Sequence, residues 1–193
     1  HFGVPRDLSL AVAYLNKELL GSQMPEDSQW SWDDMLTRAK AVTSGEVWGC
    51  EPFGDVRLLD AVVRSNGGQP FKGEFSRDLE GMESGYGSGA ACQTGEWLLD
   101  LVHAEKVAPL PDAGENEDLF ATGKAAIAFG FPGRMLALEK ASFDWDILPL
   151  PAGSAAQLTL GDSHGLVLNG ATASFSASWD LALWLTDPGT GKS

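Results

Sequence analysis

The alternation of apolar and polar positions is most informative between Leu119 and Phe131. A short helical turn opens this stretch and ends at Gly123, and an unbroken apolar run, Ala125–Phe129, follows and ends at Gly130. Such a run between glycines is typical of a strand that is covered on both faces of a sheet. Because open α/β sheets bind ligands beyond the carboxyl ends of their strands, the pattern predicts a binding site close to Phe131.

Strand-like and helix-like patterns alternate along the rest of the chain. The predicted strands cover residues 8–15, 47–50, 125–129, 143–149 and 166–168. The predicted helices cover residues 31–42, 55–65, 88–105, 132–140 and 174–186, and a single helical turn follows Asn16. A polar, glycine-rich loop with some strand is expected over 69–87. This alternation predicts an α/β architecture with a largely parallel sheet, and the proline-rich segment 149–153 is the predicted crossing between domains.

Two further features of the pattern concern caps and tryptophans. Ser31 is placed to cap the helix that follows it, where Asp33 and Asp34 suit the positive end of the helix dipole. Five tryptophans fall on helical or strand faces and are predicted to lie in the core. They are Trp32, Trp97, Trp145, Trp179 and Trp184.

Composition narrows the classes of partner. The 193 residues carry 27 acidic and 13 basic side chains, a formal charge of −14, which argues against nucleic acid and anionic membrane surfaces. No segment approaches the roughly 18 consecutive apolar residues of a membrane-spanning helix. The start at His1, without Met or a leader, is typical of a cut or processed boundary. Cys50 and Cys92 leave both a single bridge and two free thiols open, and the histidines are too few to predict a metal site or another cofactor.

Five segments carry a more specific signal when they are taken in order. They are Gly3-Val4-Pro5 with Tyr14 to Leu20, Trp32 to Leu36 with Ala39-Lys40, Phe120 to Ile127 with Gly130, Trp145 to Pro151, and Trp179 to Pro188. Together these segments resemble motifs of the extracellular solute-binding proteins of ABC importers, the group that includes maltose-binding and other sugar-binding proteins.

The resemblance implies a periplasmic-binding-protein-like α/β fold of type II. It implies an internal fragment, with one nearly complete lobe over 6–149, an incomplete return segment of the other lobe over 150–193, and a hinge crossing at 1–5. The full-length protein would capture a sugar or oligosaccharide between two lobes and deliver it to a membrane permease. We expect a monomer without cofactor, periplasmic or extracellular and not inserted in the membrane, with lipid anchoring left open.

Candidate ligand-binding residues lie at the entry crossing, in the loops that follow two of the predicted strands, and in the return loop before the last strand. Sugars need aromatic faces for their C–H surfaces and polar side chains for their hydroxyls. The candidates are Asp7, Ser9, Trp48, Glu51, Phe53, Phe131, Arg134, Asp162 and His164. Structural roles stay open for several of them. Trp48 could be a core residue, Phe53 could pack as a hydrophobic staple against the next helix, and Glu51 could be a solvated charge on a loop.

Two other classes of function were weighed. Glu51 and Asp162 could act as the acid and base of a glycosidase, although the sequence does not set their separation. No nucleophile elbow or phosphate-binding loop is present. A protein-interaction domain is the third class, and it rests only on aromatic residues that could lie on the surface. The sequence therefore favours a solute-binding protein that is not an enzyme.

Overall fold

Strands and helices alternate through the part of the chain that the structure describes. The structure is a computed structural model that describes residues 3–51, 53–72, 81–110, 118–187 and 189. The strands are β1 (Gly3–Leu10), β2 (Val12–Asn16), β3 (Trp48–Cys50), β4 (Phe71–Lys72), β5 (Glu83–Ser84), β6 (Ala125–Gly130), β7 (Trp145–Pro149) and β8 (Gly161–Val167). The helices are α1 (Lys17–Leu20), α2 (Trp32–Val42), α3 (Val56–Ser65), α4 (Gly89–His103), α5 (Met135–Leu138) and α6 (Phe175–Thr186).

The main sheet has four strands in the order β3-β6-β2-β7. β3 pairs with β6 in parallel, whereas β2 pairs antiparallel with both β6 and β7. The prediction of a largely parallel sheet is therefore wrong for the pairing, since only β3 and β6 are parallel neighbours. β2 lies between β6 and β7 and runs antiparallel to the other three strands. The alternation of helices and strands along the sequence does not show that an antiparallel strand lies inside the sheet.

Side chains on the two faces of this sheet enter two apolar clusters. On one face Leu15 and Ile127 pack with residues of α2 and α3, such as Met35 and Val62. On the other face Tyr14, Phe120 and Leu138 pack together. All five residues of Ala125–Phe129 are buried, so the prediction of a strand covered on both faces is confirmed.

Helix caps follow the predicted chemistry. The Ser31 hydroxyl accepts a hydrogen bond from the Asp34 amide at 3.1 Å, and the Asp34 carboxylate accepts one from the Ser31 amide at 2.9 Å. This reciprocal capping box satisfies two amides that the first turn of α2 leaves without helical partners. Asp55 and Ser88 cap α3 and α4 in the simpler way, each accepting from one backbone amide.

The predicted strand over 8–15 is wrong because it is two strands. β1 ends at Leu10, Ala11 is buried between the strands, and β2 begins at Val12. β1 pairs antiparallel with β8 in a separate two-stranded sheet, while β2 belongs to the main sheet. An apolar run marks burial but does not show which sheet each half joins.

The described residues form two compact units. One unit comprises the described residues of 1–10 and 161–193, and the other is Ala11–Leu160. The second boundary, between Leu160 and Gly161, lies beyond the predicted crossing at 149–153. Within the larger unit the segment after β7 still packs, since the Ala152 amide donates to the Trp30 carbonyl at 2.8 Å and Leu150 is buried.

Helix α6 differs from the prediction in its exposure. Trp179 and Trp184 are 42% and 59% exposed, so their predicted place in the core is wrong. The helix packs on β1 within the smaller unit, and Ala182 is its buried residue. A two-stranded ribbon and one helix provide little apolar surface, and α6 is apolar around most of its circumference. Of the other predicted core tryptophans, Trp32 is buried and Trp97 and Trp145 are half-buried.

Some predictions fall outside the described residues. These include the centre of the predicted loop at 69–87, from 73 to 80, and the tail from 190 to 193. The two ends of that loop pair as β4 and β5. Across the described ranges, none of the helices has the length and apolar character needed to cross a membrane.

Candidate functional site

The carboxyl ends of β3 and β6 bring four predicted residues to one edge of the main sheet. Because the two strands are parallel, the residues that follow them emerge side by side. Glu51 and Phe53 follow β3, and Phe131 and Arg134 follow β6. We call these four residues the sheet-edge site.

Three charged side chains of this region form a partly buried cluster. An Arg134 Nη2 atom lies 2.5 Å from Glu51 Oε2 and 2.5 Å from Asp118 Oδ1. The other oxygen of Glu51 accepts a hydrogen bond from the Leu119 amide at 3.0 Å. The side chains of Arg134, Glu51 and Asp118 are 17%, 14% and 36% exposed. These contacts fasten the residues before β6 to the edge of the sheet, and we call the three residues the Arg134 cluster.

Burial dominates the electrostatics of the cluster. It raises the pKa of the Glu51 carboxyl above its ordinary value, and the Arg134 guanidinium opposes that shift without cancelling it. Burial likewise raises the pKa of Tyr14, and Arg134 again acts in the opposite direction. Burial, together with the charge of Glu51, raises the pKa of the neighbouring Cys50 thiol to about 12. Ionisation of Glu51 is therefore costly although an arginine lies beside it.

Phe131 is held from two sides. Its carbonyl accepts a hydrogen bond from the Tyr14 hydroxyl at 2.9 Å, which satisfies the polar end of that buried ring. The guanidinium carbon of Arg57 lies 4.2 Å from the centroid of the Phe131 ring. Arg57 is itself held by Asp55, whose carboxylate accepts from Nε at 3.1 Å and from Nη2 at 2.7 Å.

Phe53 belongs to an aromatic cluster. Its ring stacks on Phe129 with a centroid separation of 5.0 Å and an interplanar angle of 17°. Trp32 and Trp97 contact it at 6.0 and 6.5 Å. Phe53 and Glu51 also line a mostly apolar cavity of about 290 Å³ against α4. These contacts favour the packing role that the sequence left open for Phe53.

Trp48 lies at the other end of its strand. It is the first residue of β3 and pairs with Ala125, the first residue of β6. The expectation that Trp48 belongs to the loop with Glu51 is therefore wrong. Two residues of extended chain separate Trp48 from the end of β3, so it stands apart from the sheet-edge site.

The remaining four candidates face one another across the ribbon of the smaller unit. Asp7 pairs with His164 and Ser9 with Asp162, so all four side chains project from the same face. His164 Nδ1 lies 2.7 Å from Asp7 Oδ1, and the two side chains are 60% and 46% exposed. The sequence placed Asp162 and His164 on a loop, but both lie within β8.

Three residues that contact the site were missed from the sequence. Asp118, Arg57 and Tyr14 touch Arg134, Phe131 or both. Tyr14 carried a usable signal, because a hydroxyl inside an apolar strand needs a partner. Arg57 carried a weaker one, since an arginine in the first turn of a helix opposes the dipole. Asp118 carried no signal in the sequence that would set it apart from the polar residues around it.

Metal-binding and cysteine chemistry were also considered. Within the described ranges, no three side chains of the His, Cys, Asp or Glu type come together in a way that could hold a metal ion. Cys50 is a buried free thiol and Cys92 an exposed one, so the two are not bridged.

The charged and aromatic groups lie at the carboxyl edge of the strands of a mixed α/β sheet, which is where open α/β sheets bind small molecules. The chain matches the family of bacterial extracellular solute-binding proteins over residues 1–190, and it belongs to that family. No curated protein gave a significant match to the sequence.

Solved structures share the fold at low sequence identity. An ABC substrate-binding protein from Listeria monocytogenes in complex with cycloalternan is similar with a TM-score of 0.81 and 23% identity, over 96% of this chain and 48% of that one. The GacH receptor of Streptomyces glaucescens, solved unliganded and with acarbose, is similar with a TM-score of 0.79 and 18% identity, over 98% of this chain and 49% of that one. The maltotriose-binding protein of Thermus thermophilus, bound with maltotriose, is similar with a TM-score of 0.74 and 20% identity, over 97% of this chain and 50% of that one. The chain thus spans about half the length of these structures.

Proposed function

We propose that the full-length protein is the sugar-binding component of an ABC importer. The observation that carries this proposal is the position of Phe131, a half-buried aromatic ring fixed at the carboxyl edge of the main sheet. A ring in that place can stack against the apolar C–H face of a sugar. Family membership supports solute binding, and the saccharides bound by similar proteins support a sugar or oligosaccharide as the solute.

The Arg134 cluster has a supporting role in this proposal. Glu51 and Arg134 form an ion pair with each other, so they would hold the edge of the sheet in place and leave Phe131 as the main contact of this unit with a solute. The cluster holds one arginine and two carboxyl groups, so it offers no net positive charge to an anionic solute, and a neutral saccharide suits it better. The second group of candidates, Asp7, Ser9, Asp162 and His164, would contribute hydrogen bonds from the ribbon.

The proposal extends to the whole protein. Residues 6–149 would form most of one lobe, 150–193 part of the other and 1–5 a hinge crossing, with the solute held between two lobes. The protein would be periplasmic or extracellular, where a lipid anchor would keep it near its permease. A glycosidase is less well supported, because Glu51 is paired with Arg134 and is not available as a lone acid.

Replacement of Phe131 by Ala in the full-length protein tests the proposal. Isothermal titration with a panel of saccharides, including maltose, maltotriose and cycloalternan, should first identify a ligand without turnover. Phe131→Ala should then weaken its binding by about tenfold, which corresponds to about 1.4 kcal/mol. The midpoint of thermal unfolding should change little, because the ring is only partly buried.

Phe71→Ala is the matched control. Phe71 is 51% exposed and belongs to the β4–β5 pair, away from the sheet edge. It should leave affinity unchanged. Unaltered affinity in Phe131→Ala would remove the stacking role, and product release from any saccharide would favour an enzyme. The 193-residue chain alone should bind the same ligand poorly, since it spans about half of the similar proteins.

A further inference from the structure

Arg57 covers one face of the Phe131 ring, the ring that the proposed function assigns to a sugar. A separation of 4.2 Å between its guanidinium carbon and the Phe131 centroid is van der Waals contact. No sugar ring can lie on the same face while the guanidinium is there. The contact joins α3 to the residue after β6, and it lies wholly within the Ala11–Leu160 unit.

Asp55 holds the Arg57 side chain in this position. The Asp55 carboxylate binds Nε and Nη2 of Arg57 and also caps α3 by accepting from the Arg57 amide at 2.9 Å. The hydrogen bonds from Arg57 hold the pKa of Asp55 below its usual range. Asp55 and Arg57 are two residues apart on one helical turn, so their ion pair can persist when the guanidinium leaves the ring.

We propose that Arg57 is a specificity-determining residue that competes with the solute for the face of Phe131. The inference rests on the proposed function, because it assigns the competitor of a stacked sugar. A solute must offer Phe131 a contact better than the cation–π contact that it replaces. A pyranose ring with a continuous C–H face meets that requirement, whereas a small polar solute without such a face does not.

The cost of displacing Arg57 sets the expected effect. An exposed cation–π contact is weak, and its loss corresponds to about two- to fivefold in affinity. Arg57 is 51% exposed, which places it in that range. Removal of the guanidinium should therefore tighten sugar binding by about two- to fivefold, the direction opposite to that of Phe131→Ala.

The test compares three variants of the full-length protein by titration with the saccharide that the wild type binds best. Arg57→Ala should bind it about two- to fivefold more tightly. Arg57→Lys should fall between that variant and the wild type, because an ammonium cannot stack as a planar guanidinium does. Arg64→Ala removes the same charge from the exposed end of α3 and should leave affinity unchanged.

Fluorine NMR of 4-fluorophenylalanine placed at position 131 follows the ring directly. Without sugar, Arg57→Ala should shift the resonance relative to the wild type, and saturating sugar should bring the two resonances together. Equal or weaker sugar binding by Arg57→Ala would overturn the competition while leaving the proposed function intact. If the full-length wild type and Arg57→Ala both bind no saccharide, the proposed function fails and the inference fails with it.

Discussion

Two side-chain contacts that join distant parts of the chain differ mainly in burial. Arg134 meets Glu51 where both side chains are less than one-fifth exposed, at 17% and 14%. His164 meets Asp7 on the ribbon, where the side chains are 60% and 46% exposed. Sequence inspection selected all four residues as ligand contacts. The comparison shows that the same residue types serve different purposes once solvent access is known.

Burial changes what an ion pair contributes. Removing one member of a buried pair leaves an uncompensated charge in a poorly solvated place, which is costly even when the intact pair stabilises little. An exposed pair gains little from its Coulomb attraction and loses little when it is broken. The Arg134 cluster should therefore be sensitive to substitution and the Asp7–His164 pair tolerant of it.

The largest expected effect follows from Arg134→Met. Methionine keeps most of the apolar stem but removes the charge that Glu51 and Asp118 share. We expect the free energy of unfolding to fall by about 3 kcal/mol, the lower end of the range for a broken buried pair because Asp118 is partly exposed. Urea unfolding of the full-length protein at pH 7 measures it.

Arg64→Met provides the matched comparison. Arg64 is exposed on the last turn of α3, and its replacement should change the free energy of unfolding by less than about 0.5 kcal/mol. Equal losses in the two variants would mean that burial does not distinguish the Arg134 cluster from an ordinary surface arginine.

A smaller effect, with a characteristic pH dependence, is expected for Glu51→Gln. At pH 7 we expect a change of no more than about 1 kcal/mol, because Gln keeps the hydrogen bond from the Leu119 amide and the lost ion pair with Arg134 is offset by the removed cost of ionising a poorly solvated carboxyl.

The folded-state pKa of Glu51 is raised, so the unfolded chain releases this proton at a lower pH than the folded protein does. The wild type therefore loses stability relative to Glu51→Gln as pH rises from about 4 through the raised pKa. Urea unfolding at a series of pH values should show the stability of the wild type falling relative to that of Glu51→Gln as pH rises. A wild type that gains stability relative to Glu51→Gln as pH rises would mean that Arg134 outweighs burial.

Local features of the fold were readable because they depend on neighbouring residues. The Ser31 cap of α2 and the buried run Ala125–Phe129 each involve short spacings, and both were predicted. The division of the apolar run at Ala11 and the reversed direction of β2 were not. Both depend on pairings with distant strands, and periodicity records burial without recording the partner.

The same limit applies to the site. The position of Phe131 follows from the end of a strand, whereas the contact of Arg134 with Asp118 and that of Arg57 with Phe131 depend on how separate segments approach. Trp179 shows the converse case, because its apolar character predicted burial and the small unit exposes it. Residue type indicates what a side chain can do, and the fold decides which partner it meets.

The smallest effect is expected for His164→Ala. The ribbon keeps its backbone pairing between β1 and β8, and the lost contact joins two side chains that are about half exposed. The free energy of unfolding should change by less than about 1 kcal/mol, and added salt should reduce even that difference because exposed charges are screened. Urea unfolding at low and high ionic strength measures both quantities. A salt-independent loss as large as that of Arg134→Met would show that exposure fails to separate the two pairs, and the Asp7–His164 contact would then be a structural element of the ribbon.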